Sequence, residues 1–193
     1  MPRKKDIKEL PDLIARAALK IAAQGWEQVT TAKLVKLAPC TKAEAANFLD
    51  NPCQTMRALA NFITRETLRR FKYDSGVPPR DALFELLMLR FDVLQAYRPG
   101  ILRLGEACRH DPILAVALAA AQPPQWQAML QAVQIRRITP LHQAGLGTIY
   151  TCALQAWRND TSTDLTKTMA TLDKRLGQVE RICGLLQFDR NAE

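Results

Sequence analysis

Histidine is almost missing from this chain. His110 and His142 are the whole complement of 2, and neither has a partner at the spacing a metal pair requires. Aromatic residues make up 6% and Gly only 8 positions. With no run of alternating Val, Ile and Thr, an all-β fold is excluded. The 5 cysteines, Cys40, Cys53, Cys108, Cys152 and Cys183, are odd in number, widely spaced and without C-x-x-C. They argue against a disulfide framework or a structural zinc site and read as reduced thiols, mostly small core residues. No apolar run reaches 18 residues, so no membrane span is expected. Met1-Pro2-Arg3-Lys4-Lys5 leads into charge rather than an apolar stretch, so no signal peptide is read and a cytoplasmic location is expected. There is no Walker motif, G-x-G-x-x-G, H-E-x-x-H or Ser/His/Asp constellation. His110-Asp111 precedes Pro112, and Asp111-Pro112 reads as a helix N-cap with Pro at the first helical position. No enzyme, catalytic residue, metal or cofactor is expected.

What is present is apolar residue at helical spacing and an excess of positive charge. The hydrophobic fraction of 48% over 193 residues is enough for a sizeable core. The net charge of +8 is unevenly placed: residues 1–74 hold 14 Lys+Arg against 8 Asp+Glu, and residues 75–193 hold 13 against 11. Such asymmetry fits a basic face toward nucleic acid or an anionic surface, or simply a well-solvated surface.

The chain reads as helices separated by Pro and Gly. Ile14, Ala17, Ala18 and Ile21 give the first helix, 12–23, an apolar stripe, and Gly25 suits a left-handed cap. Thr30 or Thr31 caps a short helix over 32–38 that Pro39 ends. Thr41 caps another over 42–49, with Glu44 three residues on in the capping-box position. Asp50-Asn51-Pro52 is a turn, and a longer helix covers 53–73, with Arg65, Arg69 and Lys72 as a basic stripe. Ser75-Gly76-Val77-Pro78-Pro79 is the clearest boundary. Beyond it helices are expected over 80–97, 99–109, 112–121, 124–138, 140–158 and 163–186, most of them opened by Pro.

Two short helices joined by a tight turn and flanked by two more follow the helix-turn-helix plan, in which the second enters the major groove. Candidate DNA contacts are Thr31, Lys33, Lys36, Thr41, Lys42, Glu44 and Asn47. Asn47 has the chemistry to read adenine and Glu44 to accept from cytosine. The lysines, Thr41 and the arm Arg3-Lys4-Lys5 suit phosphate.

Residues 13–60 resemble the DNA-binding domain of TetR-type repressors. The matching features are Leu13-Ile14, Ala17-Ala18, Gly25-Trp26, Thr30-Thr31, Leu34, Ala38, Thr41-Lys42 and Leu49. The resemblance implies an all-α TetR-like fold: a three-helix head over 1–52, a fourth helix over 53–74 linking the domains, and a helical ligand-binding and dimerisation domain over 75–193. It also places Thr41, Lys42 and Asn47 at positions that approach DNA. Pro39, Ala46, Leu49 and Pro52 depart from the family pattern.

Leu165, Met169, Leu172, Leu176, Val179, Cys183 and Leu186 are spaced as a heptad seam. That pattern fits either a core helix of one subunit or a dimer interface. The resemblance favours the interface, which would present two heads to a pseudo-palindromic operator in double-stranded DNA. Met88, Phe91, Leu102, Trp126, Met129 and Tyr150 are read as core or as the lining of a pocket for a small apolar effector.

A second resemblance covers the C-terminal part. Tyr97-Arg98-Pro99, the segment from Tyr150 to Ser162, Leu172-Asp173-Lys174-Arg175-Leu176 and Val179-Glu180-Arg181-Ile182 are similar to the ubiquinone-biosynthesis lipid-binding proteins, which share the TetR fold. It implies an alternative, a non-DNA-binding accessory protein that holds an isoprenoid or other lipid. The leading expectation is a dimeric, ligand-responsive DNA-binding repressor.

Overall fold

The computed structural model describes the backbone of residues 4–135 and 137–183, and the side chains of 9–135 and 137–179. Among the described residues there are ten α-helices: α1 Lys4–Ile21, α2 Thr31–Leu37, α3 Lys42–Asp50, α4 Pro52–Arg70, α5 Pro79–Gln95, α6 Arg98–His110, α7 Pro112–Ala120, α8 Pro123–Ala132, α9 Pro140–Arg158 and α10 Thr166–Cys183. Two single 3-10 turns, Ala22–Gln24 and Trp26–Gln28, follow α1. No strand occurs among the described residues. The fold is all-α, with the short helices α2 and α3 joined by a tight turn between α1 and α4.

Two compact units emerge, and they interleave along the chain. One comprises residues 1–66 and 93–122, the other 67–92 and 123–193. The core of the first is built from Ile14, Ala15, Ala17, Ala18 and Leu19 of α1, Leu34 of α2, Ala45 and Phe48 of α3, and Met56, Leu59 and Phe62 of α4. The stripe expected on α1 is therefore the buried face. Helix α6 lies against α1, and Gly100 is why it can: a side-chain carbon there would sit 2.0 Å from the Leu19 carbonyl oxygen. The second unit packs α10 along α9 and α8 against α9, around Leu83, Leu86, Phe91, Met129, Leu146, Trp157, Leu172 and Leu176.

Local structure corrects several sequence boundaries. α1 begins eight residues earlier than expected and runs through Pro11; a lone Pro removes one backbone bond without ending an otherwise helix-forming run. Gly25 has φ 129 and ψ 143, a positive-φ conformation but not the left-handed helical one. α8 stops at Ala132 because Gln134 is left-handed (φ 62). The Ile135 amide then donates back to the Leu130 carbonyl at 3.1 Å, a Schellman closure. α10 starts at Thr166 because Leu165 is left-handed (φ 55). The caps at Thr30, Thr41 and Asp111 form as expected. None of Cys40, Cys53, Cys108 and Cys152 is buried, so the expected core role fails for these four. Cys183 and Leu186, with the arm Arg3-Lys4-Lys5, have side chains outside the described residues.

Candidate nucleic-acid interface

The head is organised by its caps. The Thr30 hydroxyl accepts from the Lys33 amide at 3.4 Å and starts α2. After Pro39, Thr41 and Glu44 close a full capping box on α3. The Glu44 amide donates to Thr41 Oγ1 at 3.2 Å, and the Thr41 amide and hydroxyl donate to Glu44 Oε2 at 2.7 and 2.9 Å. The Thr41 backbone and side-chain hydrogen bonds hold the Glu44 carboxyl below its ordinary pKa. Asn51 ends α3 and begins α4: its Oδ1 accepts from the amides of Cys53 (3.0 Å) and Gln54 (3.2 Å). Thr55 Oγ1 donates to the carbonyls of Phe48 and Asn51. Pro52 therefore serves as the first residue of α4, where its missing N–H costs nothing.

This scaffold sets what α2 and α3 present. Lys36, Lys42 and Asn47 are exposed, and their side chains make no hydrogen bond or ion pair among the described residues. Thr41 and Glu44 are exposed but committed to the cap, Glu44 through Oε2. Lys33 and Thr31 are half-buried, and Lys33 Nζ donates to Gln28 Oε1 at 2.6 Å. Beside α3, a groove of about 270 Å³ is lined by Leu10, Pro11 and Ile14 of α1, Glu44, Asn47 and Phe48 of α3, and Gln54 and Ala58 of α4. Gln54 and exposed Arg57 share the first turns of α4. Gln54 belongs to no sequence motif, and only the tight α3–α4 junction sets it beside α3. The basic stripe of α4 is partly used internally: Arg65 makes a two-bond ion pair with Asp12 of α1, one bond being Nε to Oδ2 at 2.9 Å.

In the second unit, Phe91, Trp126, Met129 and Tyr150 are buried. Phe91 stacks on Tyr150 at 5.5 Å and Trp126 meets Tyr150 at 4.8 Å. The Arg90 guanidinium lies over both the Trp126 and Tyr150 rings, 5.4 and 5.2 Å from their centroids. Met88 is half-buried in the same unit, whereas half-buried Leu102 belongs to the other unit. A cavity of about 20 Å³ lies elsewhere in the second unit, among Leu83, Leu130, His142, Gly145, Leu146, Ile149, Leu176 and Val179. It is large enough for a water molecule and contains none of the six expected pocket residues. Of the heptad seam, Leu165, Leu172 and Leu176 are buried within the single chain, so they are its own core. Val179 is half-buried and Met169 is 41% exposed.

Among the described residues no helix is long and apolar enough to cross a membrane, and no group of three His, Cys, Asp or Glu is placed to hold a metal. The molecule thus belongs to the class of all-α proteins with a helix-turn-helix head. A solved structure with this fold is a TetR transcriptional regulator from Rhodococcus sp. RHA1. The two superpose with a TM-score of 0.57 over 90% of this chain and 97% of the other, at 14% sequence identity. No family model and no curated protein matches the sequence.

Proposed function

We propose that the protein is a dimeric, cytoplasmic, TetR-type DNA-binding transcriptional regulator, acting as a repressor released by a small apolar ligand. The observation that carries this reading is α3. It is a rigidly capped helix of nine residues whose exposed side includes unpartnered Lys42 and Asn47. In the major groove, Asn47 pairs bidentately with adenine, and Glu44 accepts from cytosine N4 through Oε1, the oxygen its cap leaves open. Lys42 and Lys36 bind phosphate. Lys33, tied to Gln28, contributes less.

Two copies related by a two-fold axis then read a pseudo-palindrome. The dimer surface is the outer side of α9 and α10, where Leu141 and Met169 are among the exposed large apolar residues. The effector enters the second unit beside the Arg90–Trp126–Tyr150 cluster. Those three side chains are buried, so binding displaces them, and this coupling is what would alter DNA affinity.

Selection from random duplexes tests the proposal. The reading expects enrichment of inverted half-sites about 10 base pairs apart centre to centre, or a multiple of that. Selection that enriches no such sequence overturns it. The Arg65–Asp12 pair and the Lys33–Gln28 bond withdraw two cations from the head's basic surface, and this favours one second reading, the isoprenoid-binding accessory protein. A co-purified isoprenoid in native mass spectrometry, together with failed selection, would establish that reading instead.

A further inference from the structure

Two helices of this protein open on the same device, built around different titratable groups. α3 uses Thr41 with Glu44, and α9 uses Thr139 with His142 in the equivalent place. In α9 the Thr139 amide donates to His142 Nδ1 at 3.1 Å, and Thr139 Oγ1 lies 2.7 Å from the same nitrogen. The His142 amide closes the box by donating to Thr139 Oγ1 at 3.4 Å. A backbone N–H can only donate, so Nδ1 holds a lone pair here and the neutral ring carries its proton on Nε2. We propose that this cap is an acid-released clasp: the neutral His142 ring closes the first turn of α9, and protonation of the ring opens it.

The exchange of partners follows from what each protonation state can donate. An imidazolium has an N–H on both nitrogens. Its Nδ1–H can still donate to Thr139 Oγ1, whose own proton then turns away. It cannot accept from the Thr139 amide, which loses its acceptor and faces a second donor. The new charge also stands in the first turn of a helix, where the unsatisfied amides disfavour a cation. A glutamate in this role stays ionised down to about pH 4, whereas an imidazole titrates between about pH 5 and 8. Mild acidification therefore addresses the α9 cap and leaves the α3 cap closed. The half-buried ring borders the small cavity together with Leu83 of α5, Leu130 of α8 and Leu176 and Val179 of α10, all apolar. α8 has no titratable residue. The charged residues nearest these walls along the chain are Arg80, Asp81 and Glu85 on α5, Asp173, Lys174 and Arg175 on α10, and Arg137 before α9. Arg80 is paired with Asp81 and Asp173, Arg175 donates to Gln178 at 3.0 Å, and Glu85, Lys174 and Arg137 are exposed. The side chains of Arg136 and Glu180 lie outside the described residues. Exposed Leu141 sits in the turn that the clasp holds. It belongs to the surface proposed above for dimerisation, so acidification also weakens self-association, a consequence that rests on the dimer reading.

The test is an NMR titration of the full chain from pH 8 to pH 5 that follows the His142 ring nitrogens and the Thr139 backbone amide. At pH 8 Nδ1 should show the shift of an unprotonated acceptor. The Thr139 amide proton should then move upfield in step with the ring's titration. His110→Gln, which removes the other histidine, should leave that movement as it is. His142→Gln and His142→Glu accept from Thr139 throughout this range and should abolish it. In urea unfolding, wild type should lose about fivefold in its folding equilibrium constant between pH 8 and pH 5 relative to His142→Gln. A protonated Nδ1 at pH 8, a Thr139 amide that does not move, or wild-type pH dependence in His142→Gln overturns the proposal. Light scattering reads the consequence separately: the wild-type dimer should lose mass toward pH 5 and the His142→Gln dimer should not. A chain that is monomeric at every pH overturns the dimer reading, whereas an unmoved Thr139 amide overturns the clasp.

Discussion

Asp160 carries more of the local architecture than its place in the sequence suggests. It is buried. Burial by itself raises a carboxyl pKa, but four hydrogen bonds outweigh it and hold the group far below the usual range. Ser162 donates its amide (3.1 Å) and hydroxyl, and Thr168 donates its amide and hydroxyl, both at 2.9 Å. The carboxylate thereby staples the end of α9 to the first turn of α10. Because the folded pKa is depressed, the contribution is complete above the unfolded value of about 4 and is lost as pH falls through the folded value. Asp160→Ala should cost roughly 2 kcal/mol in urea unfolding at neutral pH, with the gap to wild type narrowing as the buffer is taken well below pH 4. A pH-independent gap would refute the assignment. The staple was not legible in advance, since Thr168 lies eight residues on, across an irregular turn. Gly25 was legible as a stop but not in kind. Its φ of 129 with ψ 143 is open to glycine almost alone, so Gly25→Ala should lose about 2 kcal/mol in thermal unfolding.

At the scale of elements, spacing in the sequence gave the helix starts that rest on a Ser/Thr/Asp cap followed by Pro or Glu. Thr41 with Glu44 and Asp111 with Pro112 formed as read. Thr41→Val should therefore cost about 1 kcal/mol, measurable by chemical denaturation. The capping box of α9 escaped notice because His142 occupies the place of Glu: Thr139 donates its amide to His142 Nδ1 at 3.1 Å. The early end of α8 and the late start of α10 were equally illegible, because Gln134 and Leu165 adopt left-handed backbone without being glycine. Gly100 is the sharper case. Nothing in the sequence marks it, yet α6 approaches α1 so closely there that Gly100→Ala must push backbone apart. About 3 kcal/mol of destabilisation by calorimetry is expected, and a neutral substitution would contradict the packing described.

For the whole molecule, composition and periodicity were enough for an all-α fold and for the helix-turn-helix head, but they did not reveal the interleaving of the two compact units. A heptad seam has the same spacing whether it faces its own subunit or another. The structure resolves Leu165, Leu172 and Leu176 in favour of the chain's own core, with Met169 on the surface. Two variants therefore separate the roles. Leu172→Ala should lower stability by about 2–5 kcal/mol. Met169→Asp should leave the monomer folded and shift light-scattering mass from dimer to monomer. The +6 excess of residues 1–74 is likewise not all available to DNA, since Arg65 and Lys33 have internal partners. Of the candidate contact residues, Lys36, Lys42 and Asn47 are exposed.

The central claim, that α3 binds DNA, is tested most directly by measuring affinity for a selected duplex against salt concentration, for wild type and Lys42→Glu. The wild-type logarithmic slope should be about −0.9 for each phosphate neutralised. Lys42→Glu should weaken binding and flatten that slope by about one phosphate per head. Equal affinity and slope for the two proteins, or no wild-type binding at low salt, would contradict the account.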